Sequence, residues 1–234
     1  MVTKYLGTEF DIHGGGLDLR FPHHENEMAQ SQAAGHGFAN FWMHNGMVTY
    51  QGEKMSKSIG NTISPSEMLD LATPRVVRYY LGQAHYRSVL DYRPTSLDEA
   101  AAAVDRIDGF ISRAVRALAA GGNYTFATYG KVPEAFESAM DDDLNVPQAL
   151  AVVHETVRAG NTALTEGKLE DAQQALHSVH DMLRVLGLNA VATGPASDAG
   201  NRPPSTSWWK PNSLPARRPV QPRTGLPPTP SATP

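Results

Sequence analysis

The feature that most constrains this chain is a change of hydrophobic period near residue 95. Beyond that point, the segments 96–120, 133–140, 147–164 and 169–186 place apolar residues at three- and four-residue intervals. Such spacing gives each segment one apolar stripe, and helices joined by short polar loops bury such stripes against one another in a bundle. The run Asp141–Asn145 (DDDLN) interrupts the pattern before Pro147 and suits the cap of the next helix.

Before residue 95 the signals are mixed. Glu9–His13 and Phe41–Tyr50 are short runs of aromatic and β-branched residues, the composition of strands. Gly14-Gly15-Gly16 reads as a turn, and Pro22 suits the first position of a helix that runs to about Ala34 and stops at Gly35. Ser64 with Glu67 forms a capping-box pattern ahead of Met68, Leu69 and Leu71. After Thr73-Pro74, the segment Arg75–Gln83 presents Val76, Val77, Tyr80 and Leu81 at helical spacing. Strands, glycines and helices in this mixture are α/β in character. The expected organisation is an α/β part over 1–94, a helical part over 95–189 and a disordered tail over 190–234.

The chain has no cysteine, which excludes disulfides and a self-contained cysteine zinc cage. No apolar run approaches the roughly 18–20 residues that span a bilayer, and the first residues lack a charged-then-apolar secretory pattern. A cytoplasmic protein with no membrane partner is the expectation. The net charge of −4 gives no global basic footprint for nucleic acid, although a local basic strip is compatible with it. The tail holds most of the prolines, has no acidic residue after Asp198 and shows no hydrophobic period. A one-base shift of frame from Ser207 onward can instead encode a strongly helical, amphipathic sequence. The tail is therefore read as a frame-shifted one, and the gene sequence through that position decides.

Three groups of residues carry chemistry. His23 and Glu27 lie four apart on the Pro22 helix, so an imidazole and a carboxylate project from one face and can fill two corners of a zinc tetrahedron. His24 is expected to point away from that face. Gly16 and Asp18 follow a strand that ends at His13, where a backbone can approach a ligand and a carboxylate can accept from ribose hydroxyls. The loop Lys54-Met55-Ser56-Lys57-Ser58, flanked by Gly52 and Gly60, places two ammonium groups where they can close over a triphosphate and stabilise departing pyrophosphate. Taken singly, the His–Glu pair also suits a polar helix face, the glycines a tight turn, and the lysines a solvated loop.

KMSKS with an upstream HGGGLDLRFPHHENE closely resembles the cysteinyl-tRNA synthetases, class I aminoacyl-tRNA synthetases built on a Rossmann catalytic domain. The resemblance runs from Tyr5 to about Leu188 and takes in WMHNG at Trp42–Gly46, AHYRS at Ala84–Ser88 and MDDDLNVPQAL at Met140–Leu150. It implies activation of cysteine by ATP with Mg2+, transfer to tRNA-Cys, and a monomer. It also implies one zinc ion, held by His23 and Glu27, that binds the substrate thiolate and disfavours serine. Lys54 and Lys57 are implied as the catalytic lysines, Lys57, Gly16 and Asp18 as ATP-binding, and His13 as a substrate-pocket residue. The Ser64–Tyr92 helices are implied to meet the tRNA stem, and the later helices to help bind tRNA.

The family's HIGH motif and its two cysteine zinc ligands are not in this chain. The expectation is accordingly a gene fragment, with no measurable aminoacylation in isolation and weak zinc binding. The alternatives are a ligase joining cysteine to a glucosaminyl-inositol in mycothiol synthesis and a non-catalytic tRNA-binding fragment. A metal hydrolase using His23, His24 and Asp18 explains neither the lysine loop nor the helices behind it.

Overall fold

The first strand of the fold is unusual in being nearly half glycine. β1 (Phe10–Gly16) runs parallel to β2 (Ala39–Asn45), with Phe10 opposite Ala39, His13 opposite Trp42 and Gly15 opposite His44. This is a computed structural model, and it describes residues 2–56, 58, 60–122 and 132–189. The expected tail over 190–234 and Lys57 lie outside the described residues. A short helix α1 (Val2–Leu6) precedes β1, and α2 (Glu25–Ala33) connects β1 to β2. Between β1 and α2 the chain makes a 3-10 turn at Leu17–Leu19 and a wide helical turn at Arg20–His24. The glycines expected to turn the chain therefore stay in the strand. The reason is space: a Cβ on Gly15 would lie 2.8 Å from the His24 ring and 3.2 Å from Leu19.

A second sheet holds β3 (Val48–Tyr50) at its centre, antiparallel to β4 (Glu53–Lys54) and parallel to β5 (Leu90–Tyr92). Gly46, between the two sheets, takes its place because a Cβ would fall 2.1 Å from the Ser88 carbonyl oxygen. Its N–H donates to the Tyr86 carbonyl.

The helices follow the sequence pattern closely. α3 (Pro65–Leu71) begins with the Ser64–Glu67 capping box, and α4 (Pro74–Gly82) begins with Thr73 accepting from the Val76 N–H. α4 buries Val76, Val77, Tyr79 and Tyr80, while Leu81, expected on that face, is exposed. α5 (Ser96–Ala120), α6 (Glu134–Asp141), α7 (Val146–Thr165) and α8 (Leu169–Leu186) bury their stripes in one cluster that includes Phe110, Val153, Leu176 and Met182. Asn145 caps α7 through the Gln148 N–H, as the DDDLN run suggested. At the far end, Gly187 takes a left-handed φ of 65° and closes α8. The carbonyls of Leu186 and Leu188 there accept from Arg78 and Arg75 of α4, and Arg75 also pairs with both oxygens of Asp108 on α5. Cationic side chains at a helix C-terminus satisfy its orphan carbonyls and oppose its dipole. No described helix is long and apolar enough to cross a membrane.

Candidate metal and nucleotide site

The strand register builds a cluster of rings beside the helix start. In a strand, alternate residues share a face, so Trp42 and His44 project together and stack at 5.7 Å with 7° between planes. His13, opposite Trp42, meets it edge-on at 4.9 Å, and Phe38 stacks on the same indole at 5.5 Å. His24 enters this cluster from the turn before α2. It is 4% exposed, and its Nδ1 lies 3.0 Å from His44 Nε2. Burial first, then the neighbouring His13 and His44, pull its pKa below the ordinary histidine value of 6.5. Acid below that value must charge a buried ring, so folding stability contributed here falls as the pH falls.

Glu27 sits between the histidines. Its Oε2 is 3.1 Å from His13 Nε2, and its Oε1 is 3.9 Å from His23 Nε2. The Oε2 atom is buried and accepts no well-formed hydrogen bond. His13, His24 and Glu27 each offer a ligand atom within 4.8 Å of the others. His24 thus faces the carboxylate cluster rather than away from it, while the His23 side chain is 60% exposed at the cluster's edge. The sequence pair His23 and Glu27 is brought together, and the fold adds His13 and His24 to it.

A cavity of about 370 Å³ opens from this cluster, lined by Arg20, His24, Glu25, Met28, Trp42, His44 and Arg87. Sequence reasoning passed over His44, Trp42, Arg20 and Arg87 as site residues. The i, i+2 spacing of Trp42 and His44 on a strand was the available signal for two of them. Asp18 lies in the turn after β1, close enough that a Cβ on Gly16 would meet its Oδ1 at 2.4 Å.

The lysine loop is carried by the second sheet. Lys54 ends β4 and is exposed. Asn61 ties the loop closed, accepting from the Ser56 N–H at 2.7 Å and donating to the Lys54 carbonyl at 3.2 Å. Ser56 and Ser58 share a 2.7 Å hydroxyl contact, and Met55 packs against the helical core. The hairpin before the loop turns at Gln51-Gly52, both with positive φ, and Asp91 fastens it by accepting from Thr49 Oγ1 and the Gly52 N–H at 2.7 Å each. Those two bonds, Thr49 first, hold the Asp91 pKa below its ordinary 3.8. A group with a depressed folded pKa stabilises above its unfolded value and loses that contribution as pH falls through the folded one. An NMR titration should therefore move the Gly52 amide resonance with a midpoint below 3.8; a midpoint at or above it contradicts the anchor.

The sheet, the ring cluster and the helices behind them point to the class I tRNA synthetases. Residues 1–102 match the family model described as tRNA synthetases class I (C) catalytic domain, and residues 135–190 match the DALR domain. Residues 1–102 belong to the first of these families and residues 135–190 to the second. It is 78% identical over 203 residues to the Cysteine–tRNA ligase of Arthrobacter sp., covering 85% of this chain and 42% of the relative. Against the Cysteine–tRNA ligase of Pseudarthrobacter chlorophenolicus it is 74% identical over 195 residues, 82% of this chain and 40% of the relative. The chain thus spans less than half the length of these relatives. The solved ternary complex of Agrobacterium radiobacter LeuRS with tRNA and LeuAMS shares the fold at TM-score 0.57 and 16% identity, over 76% of this chain and 26% of that one.

Proposed function

We propose that this chain carries part of the machinery of a cysteine–tRNA ligase: cysteine is activated by ATP and passed to tRNA-Cys. The observation that carries the reading is the cluster of His13, His24 and Glu27 beside the Trp42–His44 pocket, in a segment 78% identical to a Cysteine–tRNA ligase. A buried carboxylate oxygen without a hydrogen bond, ringed by imidazoles, suits a divalent cation with a taste for nitrogen and oxygen donors, and zinc fits that donor set. Glu27, with His23 one turn before it at the end of the wide turn and His13 and His24 within reach, would hold the ion. When bound, zinc supplies a soft centre that prefers a thiolate to a hydroxyl. The residues around it shape the rest: Trp42 and His44 wall the pocket, and the tight glycine strand lets His24 lie against the backbone.

Lys54 and Lys57 of the loop, with Met55, Ser56 and Ser58 between and after them, would neutralise charge on the pyrophosphate leaving ATP, whose phosphates carry Mg2+. Gly16 and Asp18 would lie beside the nucleotide's ribose. The helical part, including the DALR match, would meet tRNA. The domain division at residues 94 and 189 belongs to the same proposal.

The test uses the purified chain with zinc. Titration calorimetry should show cysteine binding at least about tenfold tighter than serine, a modest fraction of what thiol selection allows, and chelation should abolish the preference. Equal binding of the two amino acids, or a preference indifferent to chelation, sinks the reading.

A further inference from the structure

Arg87 and Asp143 belong to two different family matches, yet their side chains meet. Asp143 lies in the turn between α6 and α7, inside the DALR match, and Arg87 lies inside the catalytic-domain match. Asp143 Oδ2 accepts from Arg87 Nε at 2.5 Å, and Oδ1 accepts from Arg87 Nη2 at 3.2 Å and from the Tyr86 hydroxyl at 2.6 Å. His85 Nε2 stands 3.9 Å from the same carboxylate, and the guanidinium lies over the Tyr86 ring at 5.1 Å. Three consecutive side chains of AHYRS thus converge on one carboxylate.

Arg87 is 57% exposed and Asp143 44%, so solvent screens the charge part of the pairing, while its two-point geometry fixes the guanidinium. The turn also holds two consecutive non-glycine residues, Asp143 and Leu144, at φ of 53° and 56°. Residues held in a costly conformation that presents a side chain suggest a use for that side chain. Arg87 also lines the cavity, with His24, His44 and Trp42. A side-on pairing through Nε and Nη2 fixes the guanidinium plane and leaves Nη1 uncommitted among the described residues. Among the charged lining groups, Arg20 and Arg87 offer guanidinium donors beside the single carboxylate of Glu25, and such donors suit an anionic oxygen.

We propose that Asp143 is a positioning residue: from the helical part of the chain it aims Arg87 into the pocket, where the guanidinium receives an anionic oxygen of the ligand. The ligand half of this statement rests on the cysteine reading above, and the positioning half does not. The anionic oxygen comes from one of two sources, the carboxylate of cysteine or a nucleotide phosphate.

The experiment uses the full chain with Trp208 and Trp209 replaced by Phe, so that Trp42 is the one fluorophore of its kind. Asp143→Gly keeps the left-handed turn and deletes the carboxylate, and Asp143→Asn keeps the shape and deletes the charge; melting curves check that both fold. Acrylamide quenching of Trp42 should rise alike in Asp143→Gly and Arg87→Ala, and the double variant should rise no further than either. Additive increases overturn the positioning. Titrations with zinc present then use cysteine, cysteamine and AMP. A tenfold loss of cysteine affinity in both single variants, with cysteamine unchanged, assigns the carboxylate; the same loss confined to AMP assigns the phosphate. Equal losses for all three overturn anion recognition. A wild-type chain that binds no cysteine sinks the cysteine reading, and the quenching cycle still decides the role of Asp143.

Discussion

Replacing Phe110 by Ala destabilises the chain by about 3–5 kcal/mol, and it reverses the effect of a second substitution at Gly160. Phe110 of α5 is 0% exposed, and a Cβ on Gly160 of α7 would lie 2.4 Å from its ring and 3.0 Å from Ala175 of α8. Three helices converge at one point where a ring occupies the place of a missing methyl group. Alanine at an interior helical glycine ordinarily stabilises by about 1 kcal/mol through its propensity. Here the clash is with a buried ring that has no free direction to move, and forcing a methyl into such a core costs about 1–3 kcal/mol. Gly160→Ala alone is therefore net destabilising. In the Phe110→Ala background the ring is gone and a shift of a few tenths of an ångström relieves the remaining approach to Ala175, so the same change becomes neutral or stabilising. Urea melts of the wild type, both single variants and the double variant measure the coupling. Additive costs would show that α5 and α7 do not meet through this contact.

How much of this was legible in the sequence depends on the range of the forces involved. α5 and α8 begin and end where the apolar period and the glycines after them place them, at Ser96–Ala120 and Leu169–Leu186, because helix boundaries are set by neighbours within a turn. The Ser64–Glu67 box is local in the same sense. The glycine run was not legible as strand, because glycine's sequence signal is that of a turn. Its placement in β1 is fixed by the His24 ring, nine residues on, and by pairing with β2, which no local pattern reports. Leu81 was expected inward because it fits the α4 period, but Tyr79 took the buried side and bonds His154 through its hydroxyl at 2.8 Å. The histidine cluster divides the same way. His23 and Glu27 could be paired from helical spacing alone. His24 could not be placed, since its orientation follows from the wide turn at Arg20–His24 that swings it under β1 and against His44. The Arg87–Asp143 contact, 56 residues apart in sequence, had no local signal beyond the two motifs that contain it.

Glu27→Gln should lower zinc affinity by more than about 100-fold, since loss of an outer partner of a ligand already costs about 10–100-fold, while leaving the metal-free chain as stable as before or more so. The two effects have opposite signs because of what the carboxylate faces. Without a cation, Oε2 is buried with no well-formed hydrogen bond, an arrangement that costs stability and that an amide relieves. With a cation, the same oxygen is the anionic ligand among neutral imidazoles, and the amide cannot replace its charge. A structural ion pair with protonated His13 predicts the reverse: Glu27→Gln would lower the melting temperature of the metal-free chain and leave zinc binding untouched. The pH gives a second handle. Metal competes with protons for the rings, and His24, held neutral by burial, is ready for it at neutral pH. Affinity should fall as the pH drops below the ordinary histidine range. Zinc titrations against a chromophoric chelator at neutral and acid pH, beside metal-free melting curves, read both effects. His23→Ala and His24→Ala in the same assay separate the exposed histidine one turn before Glu27 from the buried one. A large loss with only the first keeps the ion at the helix face, a large loss with only the second draws it into the ring cluster, and no loss with either removes zinc from this site.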